Sequence, residues 1–234
     1  MLTTEITAIP LGFDTCYVLK AAGVIAVDAG APNKGKRFAQ ALRRAGIPPG
    51  DVRLVVLTHG HWDHVGSAAD LQKLTGAKLA MHEADRRCLE DSLTPLPPGI
   101  TPWGKVFIAI HRLFLPLIKI PPAMVDIVLG SDVFDLEEYG IPGRIIPTPG
   151  HTPGSVSVLL DSGEAFVGDL AMNKLPLRRT PGLPIFAEDK ATVITSWRLL
   201  LAEGVRTIYP AHGPSFPAEV MRRAIAAWTM ERTR

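Results

Sequence analysis

Residues 59–64 read His-Gly-His-Trp-Asp-His, and no other stretch constrains this chain as strongly. Before it, Leu54-Val55-Val56-Leu57 is an apolar, β-branched run; after it, Gly66-Ser67-Ala68-Ala69-Asp70-Leu71 opens a helical pattern. The histidines therefore sit where a buried strand ends and a helix begins. A loop in that position can aim several side chains at one point while the strand holds it still. His59 and His61, two residues apart, fall on the same side of an extended segment as a chelating pair. Asp63 and His64 follow as the chain turns and can face a second point nearby.

Three further residues share this position. His151 lies in Thr148-Pro149-Gly150-His151, Asp169 in Phe166-Val167-Gly168-Asp169, and His212 in Tyr209-Pro210-Ala211-His212. Each follows an apolar, strand-like run (144–147, 164–167 and 206–209), and each is met by Gly or Pro, which marks the strand end. Five of the seven histidines thus occupy strand ends. Zn²⁺ favours imidazole with some carboxylate, and five His with two Asp suffice for two such ions.

The order His-x-His-x-Asp-His, then His, Asp and His, resembles the metallo-β-lactamase superfamily. The resemblance spans nearly the whole chain, from Val27-Asp28-Ala29-Gly30 to Pro210-Ala211-His212-Gly213. It implies an α/β fold, a four-layer αββα sandwich with a dinuclear site at one edge, formed as one domain over 1–234. By position, His59, His61 and His151 are implied ligands of the first metal. Asp63, His64 and His212 are implied for the second, Asp169 for the bridge, and Asp28 for support of the ligand loops. The expected cofactors are two Zn²⁺, with Fe or Mn as substitutes. A metal-bound hydroxide is the expected nucleophile, and Asp63 or Asp169 the expected proton carrier. Thr58, Ser67 and Thr152 are expected to fix imidazole orientation.

Departures from known branches narrow the reaction. Zinc β-lactamases generally lack the acid at the Asp169 landmark, which argues against a β-lactam. Flavodiiron proteins carry Glu where His61 stands. Glyoxalase II shares the ligands, yet this chain continues for only about twenty residues after His212, without the helical part that grips glutathione. Transfer-RNA-processing members carry a long basic arm that is absent here. The leading expectation is a hydrolase of an ester, lactone or thioester with an apolar part, similar to acyl-homoserine lactonases. The alternatives are a phosphodiester hydrolase, whose phosphate grip would fall to Arg178-Arg179, and an iron-dependent oxidoreductase.

Composition adds exclusions. With 234 residues, 47% of them hydrophobic, the chain can bury a sizeable core, and a net charge of +2 gives no reason to expect nucleic acid. The two cysteines, Cys16 and Cys88, form no disulfide framework. The first residues carry no secretory pattern, so the cytoplasm is expected. Residues 92–124 stand apart. A Pro-rich start leads into Trp103–Ile120, where Trp103, Val106, Phe107, Ile110, Leu113, Phe114, Leu117 and Ile118 recur at helical spacing. Lys105, Arg112 and Lys119 speak against a membrane span, and Pro116 against an unbroken helix. This insertion suits a lid over the metals contacting substrate through Phe107, Ile110 and Phe114, a homodimer contact through 103–120, or a helix on the core or on a membrane surface. His82 reads as structural or as supporting a ligand from behind, His111 as solvated or at an interface, and Trp62 as packing that stiffens the loop. Tyr17, Tyr139 and Tyr209 are open candidates for an oxyanion donor.

Overall fold

Successive residues of the central strands face two different cores, and that alternation dictates the layers. In a computed structural model, residues 3–174 and 176–232 are described, 231 and 232 by their backbone only. Strands β1 (Glu5–Pro10), β2 (Thr15–Lys20), β3 (Val24–Val27), β4 (Val52–Val56), β5 (Lys78–His82) and β6 (Ile127–Leu129) form a first sheet in that order. Cys16, Val18, Val24 and Ala26 pack outward against Phe38 and Leu42 of α1 (Gly35–Arg44) and Leu71 of α3 (Ala68–Thr75). Tyr17, Leu19, Ile25 and Val27 face inward. There they meet Ile145, Val158 and Phe166 of a second sheet, β7 (Phe134–Asp135), β8 (Gly143–Pro147), β9 (Val156–Leu160), β10 (Glu164–Gly168), β11 (Thr207–Pro210) and β12 (Phe216–Pro217). Its outer residues, among them Ile146, Leu159 and Val167, pack on Trp197 and Leu200 of α6 (Lys190–Ala202) and Met221 of α7 (Glu219–Arg232). The result is helix, sheet, sheet, helix. Burial on both faces explains why the strands read as continuous apolar runs.

Strand direction gathers the site. β3, β4 and β5 run parallel, so Asp28 and the 58–64 loop leave the first sheet at one edge. β8 and β10 are each antiparallel to β9, and β11 is parallel to β10. β8, β10 and β11 therefore end together, delivering His151, Asp169 and His212 to a common edge. A bond from Val156 N–H to the Thr58 carbonyl (2.8 Å) ties the two edges. The sequence did not announce two short helices there, α2 (Trp62–Val65) and α4 (Arg86–Glu90).

The 92–124 insertion holds one regular helix, α5 (Pro102–Phe114), shorter than the apolar spacing suggests. A 3₁₀ turn at Leu115–Leu117 replaces it at Pro116, where a ring and a missing N–H end α-geometry. Among the described residues, no helix is long and apolar enough to cross a membrane.

Candidate metal centre

The structure brings all seven predicted residues together, buried, in two adjoining groups. One contains His59, His61, His151 and Asp169, the other Asp63, His64 and His212. His61 Nδ1 lies 2.9 Å from His59 Nε2 and 3.0 Å from His151 Nε2. His64 and His212 direct Nε2 at Asp169 Oδ1, at 3.3 and 3.2 Å, and His212 Nε2 lies 3.3 Å from Asp63 Oδ2. The backbone permits this crowding at Gly168 (φ +51°), where a β-carbon would collide with Thr58 Oγ1.

The surroundings decide which imidazole nitrogens carry hydrogen. His64 Nδ1 faces Asp28 Oδ2 (2.9 Å), His151 Nδ1 the Phe186 carbonyl (3.1 Å) and His212 Nδ1 the Phe13 carbonyl (3.2 Å). These partners only accept, so each Nδ1 must donate. Thr58 Oγ1 donates to Asp28 and accepts from His59 Nδ1 at 3.1 Å. In their neutral forms four rings therefore present a bare Nε2 to the cluster. Because they converge on points between them, His64 Nε2, His212 Nε2 and Asp169 Oδ1 are buried without an aligned hydrogen-bond partner. Such an arrangement is costly unless something positive accepts the lone pairs, and it fits divalent cations.

Electrostatics divide the groups. Burial, with the neighbouring imidazoles, holds His59 well below the usual histidine range, lowers His61 to about 3, and also lowers His151. Burial opposes charge on His64 and His212 too. There the carboxylates win: Asp28, Asp169 and Asp63 hold His64 well up, and Asp169 and Asp63 raise His212 to about 10. Against burial, His64 and His212 in turn lower Asp63 to about 2 and hold Asp169 well down. Without a cation, protons on His64 and His212 balance the two aspartates.

Two carboxylates brace the loops. Asp28 (φ +63°, a left-handed conformation rare outside glycine) accepts from Thr58 N–H (2.8 Å), Thr58 Oγ1 and His64. Asp85 accepts from Gly60 N–H (2.9 Å), Gly154 N–H (3.0 Å) and Thr152 Oγ1 (2.6 Å), locking the 59–64 loop to the 148–154 loop.

A family model described as the metallo-beta-lactamase superfamily matches residues 9–212. The Bacillus subtilis protein YobT is 30% identical over 94% of this chain and 93% of its own length. The chain belongs to the metallo-β-lactamase superfamily. It is a metal-dependent hydrolase of that fold. Among solved structures, BLEG-1, a B3 metallo-beta-lactamase, superposes with a TM-score of 0.69 at 21% identity, covering 94% of this chain and 97% of that one. A metallo-beta-lactamase family protein of Thermus thermophilus gives 0.66 at 20%, covering 98% and 79%. These two likenesses concern the fold.

Within this superfamily frame, several expectations change. Thr58 does orient an imidazole, but Thr152 serves Asp85, and Ser67 bonds the Ala31 carbonyl and Lys34 N–H, away from the rings. None of the tyrosines donates here: Tyr17 is buried and donates to the Pro210 carbonyl (2.7 Å), Tyr209 packs between Tyr17 and Phe166, and Tyr139 lies in the inter-sheet core. His82 caps its own turn by accepting from Ala84 N–H. His111, expected to be solvated or at an interface, lies against two aromatic rings. It stacks on Trp62 and Phe107 (centroids 5.6 and 5.3 Å) beside the approach to the cluster. Phe107 faces that approach as expected, whereas Ile110 and Phe114 point to solvent, 50% and 56% exposed; Ile108 takes the inward place. The larger cavity, about 660 Å³ lined by Glu137, Arg144 and Asp161, lies at the opposite strand ends and contains no predicted ligand.

The sequence reading passed over Asp85, Phe13, Phe186 and Asp14. Asp85 stands just past the Lys78–His82 strand, a strand-end position of the same kind as that of Asp169. Phe13 and Phe186 orient His212 and His151 through backbone carbonyls, which leave no side-chain signature. Asp14 is a buried carboxyl with Oδ2 unpartnered, its pKa raised by burial and then by Asp63.

Proposed function

We propose that His59, His61 and His151 hold one Zn²⁺ and Asp63, His64 and His212 a second, with Asp169 bridging. The enzyme then hydrolyses a carboxylic ester, lactone or thioester that carries an apolar part. One observation carries the reading: five imidazole nitrogens, four oriented by hydrogen-bond acceptors behind them, converge with two carboxylates in a buried space. Asp169 supports the bridge by turning Oδ1 to His64 and His212 and Oδ2 to His151, 3.6 Å away. A nitrogen-rich donor set favours Zn²⁺ over the harder Mg²⁺ and Mn²⁺.

Two cations in these places supply Lewis acidity and lower the pKa of water toward neutrality. The chain's own residues do the rest. Asp63 lines the approach and is the most exposed of the seven (side chain 12%), so its carboxylate is placed to take the proton from the attacking water and return it to the leaving atom. Asp28, Thr58 and Asp85 keep the ligand loops in register. Phe13, Trp62, Leu96, Phe107, Ile108 and Phe186 surround the approach with apolar surface. Only about 30 Å³ is open there, room for about one water, so a substrate enters when the insertion carrying α5 moves outward.

Arg178, one half of the Arg178-Arg179 pair, and Lys174 are engaged elsewhere, which speaks for a carboxyl derivative over a phosphodiester. Arg178 donates to the Thr180 and Leu183 carbonyls, and Lys174 to those of Gly12 and Phe13. Steady-state kinetics on aliphatic lactone, ester, thioester, phosphodiester and β-lactam substrates test the assignment. We expect the highest kcat/KM on one of the first three. Faster turnover of the phosphodiester or the β-lactam would overturn it.

A further inference from the structure

Helix α5 has two apolar faces, and the mechanism uses one. Phe107, Ile108 and His111 turn toward the cluster, and Gly104 packs on the Ile185 carbonyl. Trp103, Val106, Ile110, Leu113 and Phe114 form a contiguous outer arc at helical spacing, all of them exposed, and Leu117 extends it beyond the helix. Leu113 and Leu117 are 75% and 77% exposed, an unusual display of leucine on one side of a short segment. At one border of the arc stand Lys105 and Arg112, with Lys119 farther along, all exposed. From Ser92 to Val125 the chain contains no acidic residue.

We propose that this outer face docks on an anionic lipid surface, on which the protein lies without crossing it. Charge selects this occupant. Apolar side chains bordered by basic ones, with tryptophan at the helix start, match the headgroup boundary of a bilayer carrying negative lipid. A second copy of the chain fits less well, because a symmetric contact through α5 brings Lys105 and Arg112 against their own copies with no acid in the segment to pair them. Docked this way, one helix thickness, about 10 Å, separates lipid from the ligand cluster, and the helix that closes the approach is the one the bilayer holds. Docking rests on the outer face alone and not on the hydrolase reading.

Flotation of the full chain with vesicles of phosphatidylcholine, with and without phosphatidylglycerol, tests the proposal. At about fivefold for each basic side chain near the surface, three predict roughly a hundredfold tighter binding to the anionic vesicles, weakened by salt. Leu113→Asp with Leu117→Asp should abolish flotation. Lys105→Glu with Arg112→Glu should erase the preference for anionic lipid. All four side chains are exposed, so circular dichroism should be unchanged. Brominated lipid should quench the unmodified protein, and Trp103→Phe should remove most of that quenching, a readout that needs no charge variant. Equal binding to both vesicles, no binding, or a sedimenting dimer that Leu113→Asp dissociates would each overturn the proposal. Flotation needs no turnover, so its failure and that of the hydrolase reading are separable.

Discussion

Around the ligand cluster, four imidazoles are backed by a fixed acceptor, and Asp28 and Asp85 close the loops with bonds of 2.6–3.0 Å. Helix α5 is held differently. Its start is tied down, with Thr101 capping Gly104 N–H, Ile100 N–H on the Ile185 carbonyl and Trp103 on the Pro176 carbonyl. Beyond that only Phe107, Ile108 and His111 pack inward, and the rest faces solvent. The contrast separates two tasks. Chemistry needs donors held rigidly at strand ends, whereas admitting a substrate needs a cover with few inward contacts.

If that division holds, damage to the cluster should dwarf damage to the helix. The largest effect is expected for Asp169→Ala. Loss of the shared carboxylate should lower kcat at least a thousandfold, about 4 kcal/mol, and halve the bound metal while circular dichroism is preserved. Near-normal kcat with a full metal complement would remove the bridging role. Asp85→Asn comes next: the amide cannot accept from all three donors, and metal affinity should fall 10–100-fold by competition with a chelator. An unchanged affinity would demote Asp85 to packing.

The stability of metal-stripped protein should show opposing limbs. His212, raised to about 10 from 6.5, contributes stability fully present below pH 6.5 and lost as pH rises toward 10. His61, lowered to about 3, must stay neutral in the fold, so stability also falls as pH drops below 6.5. Denaturation midpoints should therefore peak near pH 6.5 and decline by pH 5 and pH 9. A monotonic profile would contradict the split between neutral and charged imidazoles.

The smallest effect concerns α5. Each added acyl CH₂ should raise kcat/KM nearly fourfold until the pocket fills, about 0.8 kcal/mol apiece. Phe107→Ser should flatten that slope, whereas Leu113→Ser, on the outer face, should leave it alone. Equal behaviour of the two variants would erase the distinction between the faces.

Much of this is legible in the amino-acid sequence. Apolar runs located β4, β8, β10 and β11, and His59 to His64, His151, Asp169 and His212 stood out because imidazoles at strand ends have little packing value. The extent and facing of α5 were not legible. Its residues are apolar almost all round, so spacing alone could not say that Ile108 turns in and Ile110 out; contact with Phe186 and the cluster decides that. Phe13 and Phe186 escaped because they act through backbone carbonyls. Asp85 escaped because its three donors come from loops 25 to 69 residues away.

Two divalent cations entering this buried cluster should displace the protons on His64 and His212. Calorimetric titration of the metal-stripped protein with Zn²⁺ at pH 7, repeated in buffers of different ionisation enthalpy, measures both quantities at once. Two ions bound per chain and about two protons released are expected. A single bound ion, or two bound with no proton released, would contradict that exchange.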